Sequence, residues 1–161
     1  MGGEGGLVAT RFARGCRCFG ARSGGELAGY GWLSTQPEWI GEIQVELWPG
    51  PDEGYVWNCV TLEKHRRRGI FSALLLGLTA WGRAVGLRRL WIGSVAIPAE
   101  KAVRPAGFKP ALDFASATVG DYHWLRVQPA GGAEPALVRA ALEVLSVHPG
   151  AVLRSSQMRR H

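Results

Sequence analysis

The hydrophobic positions change period three times between Tyr55 and Val95. Residues 55–61, Tyr-Val-Trp-Asn-Cys-Val-Thr, are an aromatic and β-branched run that predicts a buried strand. A polar stretch follows, Leu62-Glu63-Lys64-His65-Arg66-Arg67-Arg68-Gly69. Over residues 70–85 the apolar side chains recur at Ile70, Leu74, Leu78, Trp81 and Val85, which is one face of an α-helix. Phe71, Leu75 and Leu76 widen that stripe, so the helix is expected to be mostly buried. Gly86 stands where a left-handed residue ends a helix, and Arg83 suits the negative end of its dipole. Residues 90–95 predict a second buried strand.

On the N-terminal side, residues 1–6 are glycine-rich and expected to fray, and 7–14 show no clear period. Residues 16–21 predict a strand, Ser23-Gly24-Gly25 a turn, and Glu26–Ser34 the return strand of a hairpin. Over 41–47, Glu42, Gln44 and Glu46 alternate with Ile43, Val45 and Leu47, a half-exposed strand. The turn chemistry of 49–54 predicts that this strand pairs antiparallel with the one at 55–61. On the C-terminal side, 99–103 predicts a short helix that Pro105 prevents from continuing. Residues 109–117 and 122–128 predict a hairpin about Gly120-Asp121, 129–133 a linker, and 135–147 a helix stopped by Pro149-Gly150. The remainder is expected to be a mobile basic tail.

Composition narrows the class. The chain has 161 residues, 47% of them hydrophobic, enough for a globular core. Cys16, Cys18 and Cys59 make no disulfide framework, and the scattered histidines add no zinc-ligand spacing. No apolar run reaches membrane-spanning length and no signal-peptide pattern opens the chain, so a cytoplasmic protein with no membrane partner is expected. The net charge of +6 is concentrated at 64–68, Arg88-Arg89 and the C-terminal tail. Such a surface attracts nucleic acid or any polyanionic ligand. Nucleic acid is the weaker reading, because no aromatic platform or recognition helix accompanies the charge.

The loop at 66–69 is suited to a phosphate. A helix N-terminus carries N–H groups without intrahelical partners and a partial positive charge. A glycine there lets the backbone approach a large anion, and arginines add full charges. The plainer alternative is a solvated basic loop with a turn glycine.

Arg66-Arg67-Arg68-Gly69-Ile70-Phe71 resembles the Q/R-x-x-G-x-G/A signature of the GNAT superfamily of acetyl-CoA-dependent N-acetyltransferases, and Ala106-Gly107-Phe108 resembles the Gly-Phe that closes that family's next helix. Phe71 departs from the pattern, standing where glycine or alanine is usual; a side chain turned into the core accommodates it. The resemblance implies an α/β (α+β) fold: a mixed, mostly antiparallel sheet with a central splayed strand pair, flanked by helices. It implies a domain over 1–128, followed at 129–161 by a linker, helix and tail. The family's N-terminal helices are reduced or missing here. The helix at 135–147, or a second subunit in a homodimer, is expected to cover the face they leave.

The resemblance also implies the site. Acetyl-CoA lies where the strands splay, its arm on the backbone of Val60, Thr61 and Leu62. Its pyrophosphate rests on the amides of Arg67, Arg68, Gly69, Ile70, Phe71 and Ser72, with Arg66 adding charge. No metal is needed. The acceptor is an amine of unspecified identity, attacking the thioester directly after a base takes its proton. Glu46 and Glu42, on the polar face of a strand beside the cofactor strand, are the candidate bases; Asn58 is a candidate for orienting a water. A solvated sheet face is the plainer reading of all three. The tyrosine that usually protonates the thiolate maps to Val103, and a usual asparagine to Ala96. Cys59 reads as a small buried hydrophobe rather than a nucleophile, His65 as an exposed loop residue, and Tyr122 and His123 as acceptor-side contacts. Two functions stand: an N-acetyltransferase, or a coenzyme A-binding module that has lost catalysis.

Overall fold

The computed structural model describes residues 5–94, 102–120, 122–147 and 152–156. In chain order the elements are α1 (Gly5–Ala13), β1 (Arg17–Ser23), β2 (Glu26–Ser34), β3 (Glu38–Ile40), β4 (Val45–Leu47), β5 (Glu53–Thr61), a 3-10 turn (Glu63–His65), α2 (Ile70–Ala84), β6 (Arg89–Ile92), a 3-10 turn (Arg104–Ala106), β7 (Leu112–Val119), β8 (Tyr122–Pro129), α3 (Pro135–Leu145) and β9 (Val152–Ser156). They form two compact units. One is the chain up to Gln36 with Pro49–Phe108; the other is Pro37–Trp48 with the chain from Lys109 onward.

The first unit is a four-stranded sheet in the order β1-β2-β5-β6. β1, β2 and β5 run antiparallel, and β5 pairs parallel with β6. The helical stripe read from the sequence is buried on one sheet face, where Leu33 and Val56 meet Leu74, Leu75, Leu78, Val103 and Ala106. Leu75 and Leu78 are fully buried; truncating either to alanine costs about 2–5 kcal/mol. α2 ends as its glycine predicts. Gly86 is left-handed (φ 87°), and Leu87 N–H donates to Gly82 O (2.8 Å) while Gly86 N–H donates to Arg83 O (3.1 Å), satisfying carbonyls the helix leaves free.

The opposite face is aromatic. Tyr55 stacks on Trp57 at 5.9 Å, Trp57 lies 6.3 Å from Trp32, and Phe12 of α1 lies 5.1 Å from Trp32. The Arg11 guanidinium sits 5.1 Å from the Trp32 ring centre. Residues 7–14, aperiodic in sequence, are therefore largely helical. Phe12 and Arg11 hold the helix to one aromatic side chain rather than through a broad apolar stripe. Among the described residues, α1 is the element ahead of the first hairpin.

Two features shape β5. At its start, buried Glu53 accepts from Trp91 Nε1 (2.7 Å) and pairs with Arg89, tying β5 to β6. Further on, Tyr30 opposes Val60 but Trp32 opposes Trp57, so Gly31 faces two residues. Asn58, left-handed at φ 45°, is the residue at this bulge. Asparagine is among the few non-glycine residues that tolerate that conformation.

In the second unit β3 and β4 form their own antiparallel pair, and β7, β8 and β9 form a three-stranded sheet. α3 begins on Pro135 and stops at left-handed Ser146; Val144 O accepts from Trp48 N–H (2.7 Å) just after β4.

Three expectations change. The strand over 41–47 shortens to β4, whose partner is β3; β5 pairs with β2 and β6. Residues 152–156, taken with the tail, form β9 beside β8. Most of the short helix at 99–103, and Ala96, lie outside the described residues.

Candidate functional site

The parallel seam between β5 and β6 is short. It runs from Glu53 opposite Arg89 to Val56 opposite Ile92, and no described pair follows. β5 continues to Thr61. Its first four residues are buried and its last five are only partly so. One edge of residues 57–61 is thus left without a partner strand among the described residues. The bulge at Asn58 falls at the start of this open stretch.

Backbone directions there follow from alternation along an antiparallel pair. Leu62 N–H donates to Ala28 O (2.9 Å). Two residues earlier, the groups of Val60 point to β2 as well. Thr61 lies between, opposite Gly29, so its N–H and C=O face the open edge. Of the three residues that the resemblance selects, Thr61 alone offers both groups.

The loop beyond is exposed from Arg66 to Gly69. Arg67 is left-handed at φ 61°, and Gly69, the N-cap of α2, at φ 73°. Left-handed residues in a turn gather successive N–H groups into an anion-binding concavity. The α2 ladder opens with Ala73 N–H donating to Gly69 O (3.0 Å), so the amides ahead of it have no partner within the helix. A Cβ built on Gly69 would meet nothing within 4 Å; the space over the loop is open. These features fit a diphosphate. Ile70 is buried, Ser72 is partly buried, and Phe71 packs against the core on α2's inner side, as its place in the signature requires.

The other candidates separate. Glu42 and Glu46 are both exposed in the second unit, Glu42 in the turn between β3 and β4, Glu46 on β4. Among the described residues their strand pairs with β3, and β5 pairs with β2 and β6, so the β4–β5 pairing that singles them out in sequence is not formed. Asn58 is half-buried at the bulge. Val103 is 8% exposed and sits in the α2 core, an apolar packing position rather than a proton donor.

His65 is a correction. It is buried, not exposed, with neither ring nitrogen hydrogen-bonded to protein and Nε2 3.7 Å from Glu26 Oε2. Contacts of its turn with β2 bury it, and a polar stretch carries no sign of that. Cys59 is packed against the core, and burial pushes its thiol pKa up to about 12; it is no nucleophile near neutrality. On β8, Tyr122 is exposed and His123 is buried on the other face, 3.3 Å from Thr118 Oγ1. The feature that the sequence concealed is the bulge, for which Asn58 is only a faint signal.

No grouping of His, Cys, Asp and Glu among the described residues is arranged for a metal. Among them, too, no helix is long and apolar enough to cross a membrane.

Solved structures share this fold. A putative acetyltransferase from Agrobacterium tumefaciens aligns with TM-score 0.51 and 16% identity over 74% of this chain and 79% of its own. A Trypanosoma brucei acetyltransferase gives 0.50 and 17% over 71% and 76%. A Bacillus subtilis acetyltransferase solved in complex with CoA gives 0.50 and 19% over 71% and 63%. No curated protein matches the chain in sequence. The model of the acetyltransferase (GNAT) family matches residues 7–108, a span that holds the sheet, the parted strands and the glycine loop: the chain belongs to the GNAT acetyltransferase family.

Proposed function

We propose that the chain transfers an acetyl group from acetyl-CoA to a primary amine by direct attack in a ternary complex. The observation that carries this reading is the parting of β5 from β6 after Val56 and Ile92, directly ahead of a left-handed loop at a helix N-terminus. Backbone amides of residues 67–72 receive the diphosphate, and Arg66, Arg67 and Arg68 add charge-assisted contacts. Thr61 offers N–H and C=O to the pantetheine arm as an added strand would. When bound, the cofactor supplies an activated thioester.

The remaining chemistry falls to this chain and to water. The acceptor must arrive or become neutral. Asn58, raised out of the regular ladder, would orient a water that takes that proton to solvent, since an amide has no basic lone pair to take it. As the N–C bond forms the C–S bond breaks, and the departing thiolate is protonated from solvent. A backbone N–H near the bulge would stabilise the oxygen on which negative charge develops.

Buried Val103 favours a second reading, a coenzyme A-binding module without transfer. Acetyl-CoA raises the melting temperature under both readings. Thiol release with a panel of primary amines separates them. Release that depends on an amine supports transfer; binding without release for any amine supports the module; no melting shift at millimolar acetyl-CoA refutes both.

A further inference from the structure

We propose that the outward face of the β3–β4 pair is a docking surface for a lysine-bearing polypeptide segment. Trp39 and Trp48 are 57% and 54% exposed, a large area for side chains that usually bury most of their surface. They belong to one short piece of chain. Trp39 lies directly opposite Glu46 in the β3–β4 register. Along β4 and just past it the exposure alternates: Val45 and Leu47 are buried, Glu46 and Trp48 are exposed. Glu46 therefore shares its face with an indole across the ladder and another two residues on. Cross-strand neighbours of this kind stand about 5 Å apart at Cβ.

The charge of this segment opposes that of the chain. Residues 37–48 contain Glu38, Glu42 and Glu46 and no lysine or arginine, while the whole chain carries +6. Glu38 is buried; Glu42 and Glu46 face solvent, and the Glu46 carboxylate makes no ion pair with a described residue. A carboxylate that shares one exposed strand face with two indoles suits an ammonium group, which gains from the charge and from the ring quadrupoles together. The surface is a strand face, and an extended segment can lie across it; small ligands are held in concave sites. The choice of lysine over arginine rests on the amine-acetylating reading above, under which such a segment is the acceptor or carries it.

The test uses the full chain and a fluorescein-labelled peptide, Gly-Gly-Lys-Gly-Lys-Gly-Gly, followed by anisotropy at about 50 mM salt, where charge contacts are weakly screened. Saturable binding is expected. It weakens about tenfold in the W39A/W48A double variant, is lost in Glu46→Lys, and is absent for the norleucine-substituted peptide. Equal affinity in wild type and both variants overturns the proposal. So does spermine binding as tightly as the peptide, an arginine peptide binding more tightly, or sedimentation showing that Trp39 and Trp48 join two copies of the chain. Melting curves confirm that the variants fold, which exposed positions allow. Acetyl-CoA is titrated separately by calorimetry. A failed dock leaves that heat intact, and a failed transferase reading removes it while peptide binding remains.

Discussion

Val56 and Ile92 are the last opposed residues of the β5–β6 seam. Everything proposed for the cofactor lies beyond that pair, along the edge of residues 57–61 that has no partner strand among the described residues, and at the glycine loop. The seam before it is held by buried polar contacts rather than by length.

Glu53 is therefore expected to matter for stability and not for chemistry. It is buried and accepts from Trp91 and Arg89. Glu53→Ala leaves the indole N–H unpaired and loses the arginine contact, at a cost of roughly 2 kcal/mol after allowing for the half-open arginine. Urea denaturation checks this; an unchanged midpoint would contradict it.

Gly69→Glu is expected to abolish acetyl-CoA binding. Its Cβ has room, but the side chain carries a negative charge into the space assigned to the diphosphate, and the left-handed backbone adds about 1–2 kcal/mol of strain. Calorimetry reads the loss, and unchanged affinity would show that the loop is assigned to the wrong ligand.

Replacing Arg66, Arg67 and Arg68 together by alanine is expected to weaken acetyl-CoA about tenfold or more at low salt. The difference narrows as salt is raised, because these side chains are exposed and their charge is screened. A salt-independent loss would point to altered folding instead.

Cys59 gives a pH prediction. Burial raises the folded thiol pKa to about 12 from the ordinary thiol value of 9.0. The folded state therefore holds its proton where the unfolded chain releases it. The stability linked to this thiol is fully present below pH 9 and is lost as pH climbs from there towards 12. Melting temperature should fall more steeply over that window in wild type than in Cys59→Ala. Iodoacetamide at neutral pH should label exposed Cys18 well before Cys59.

Val103→Tyr is expected not to restore a proton donor. The position is packed among Leu74, Leu75 and Leu78, so the ring overfills the core at a cost of about 1–3 kcal/mol. A faster thiol release with unchanged melting would refute that.

How much of this the sequence carried depends on whether a feature is local. The stripe Ile70, Leu74, Leu78 fixed both the helix and its buried face, because its period of 3.6 is written in adjacent turns. Glu26–Ser34 was bounded by its own turn glycines. The alternation locates β4 but not its neighbour: a period of two records which side is wet, not which strand lies alongside. The burial of His65 is not legible in its polar stretch because it comes from β2, distant in sequence. α1 leaves no period to read, because the contacts that hold it to the sheet include Phe12 and Arg11 on the single side chain of Trp32. At the site, the loop was legible from charge and glycine, whereas the direction of the Thr61 backbone required the register.

The extra residue at Asn58 has a consequence for how β5 can change. Val56 and Cys59 both pack towards α2, though three residues apart, a spacing that an unbroken strand would send to opposite sides. The strand thus keeps two phases, joined at one asparagine. Deleting a single amino acid there would merge them and turn the whole downstream segment over, so substitutions along β5 can accumulate one at a time, but length cannot.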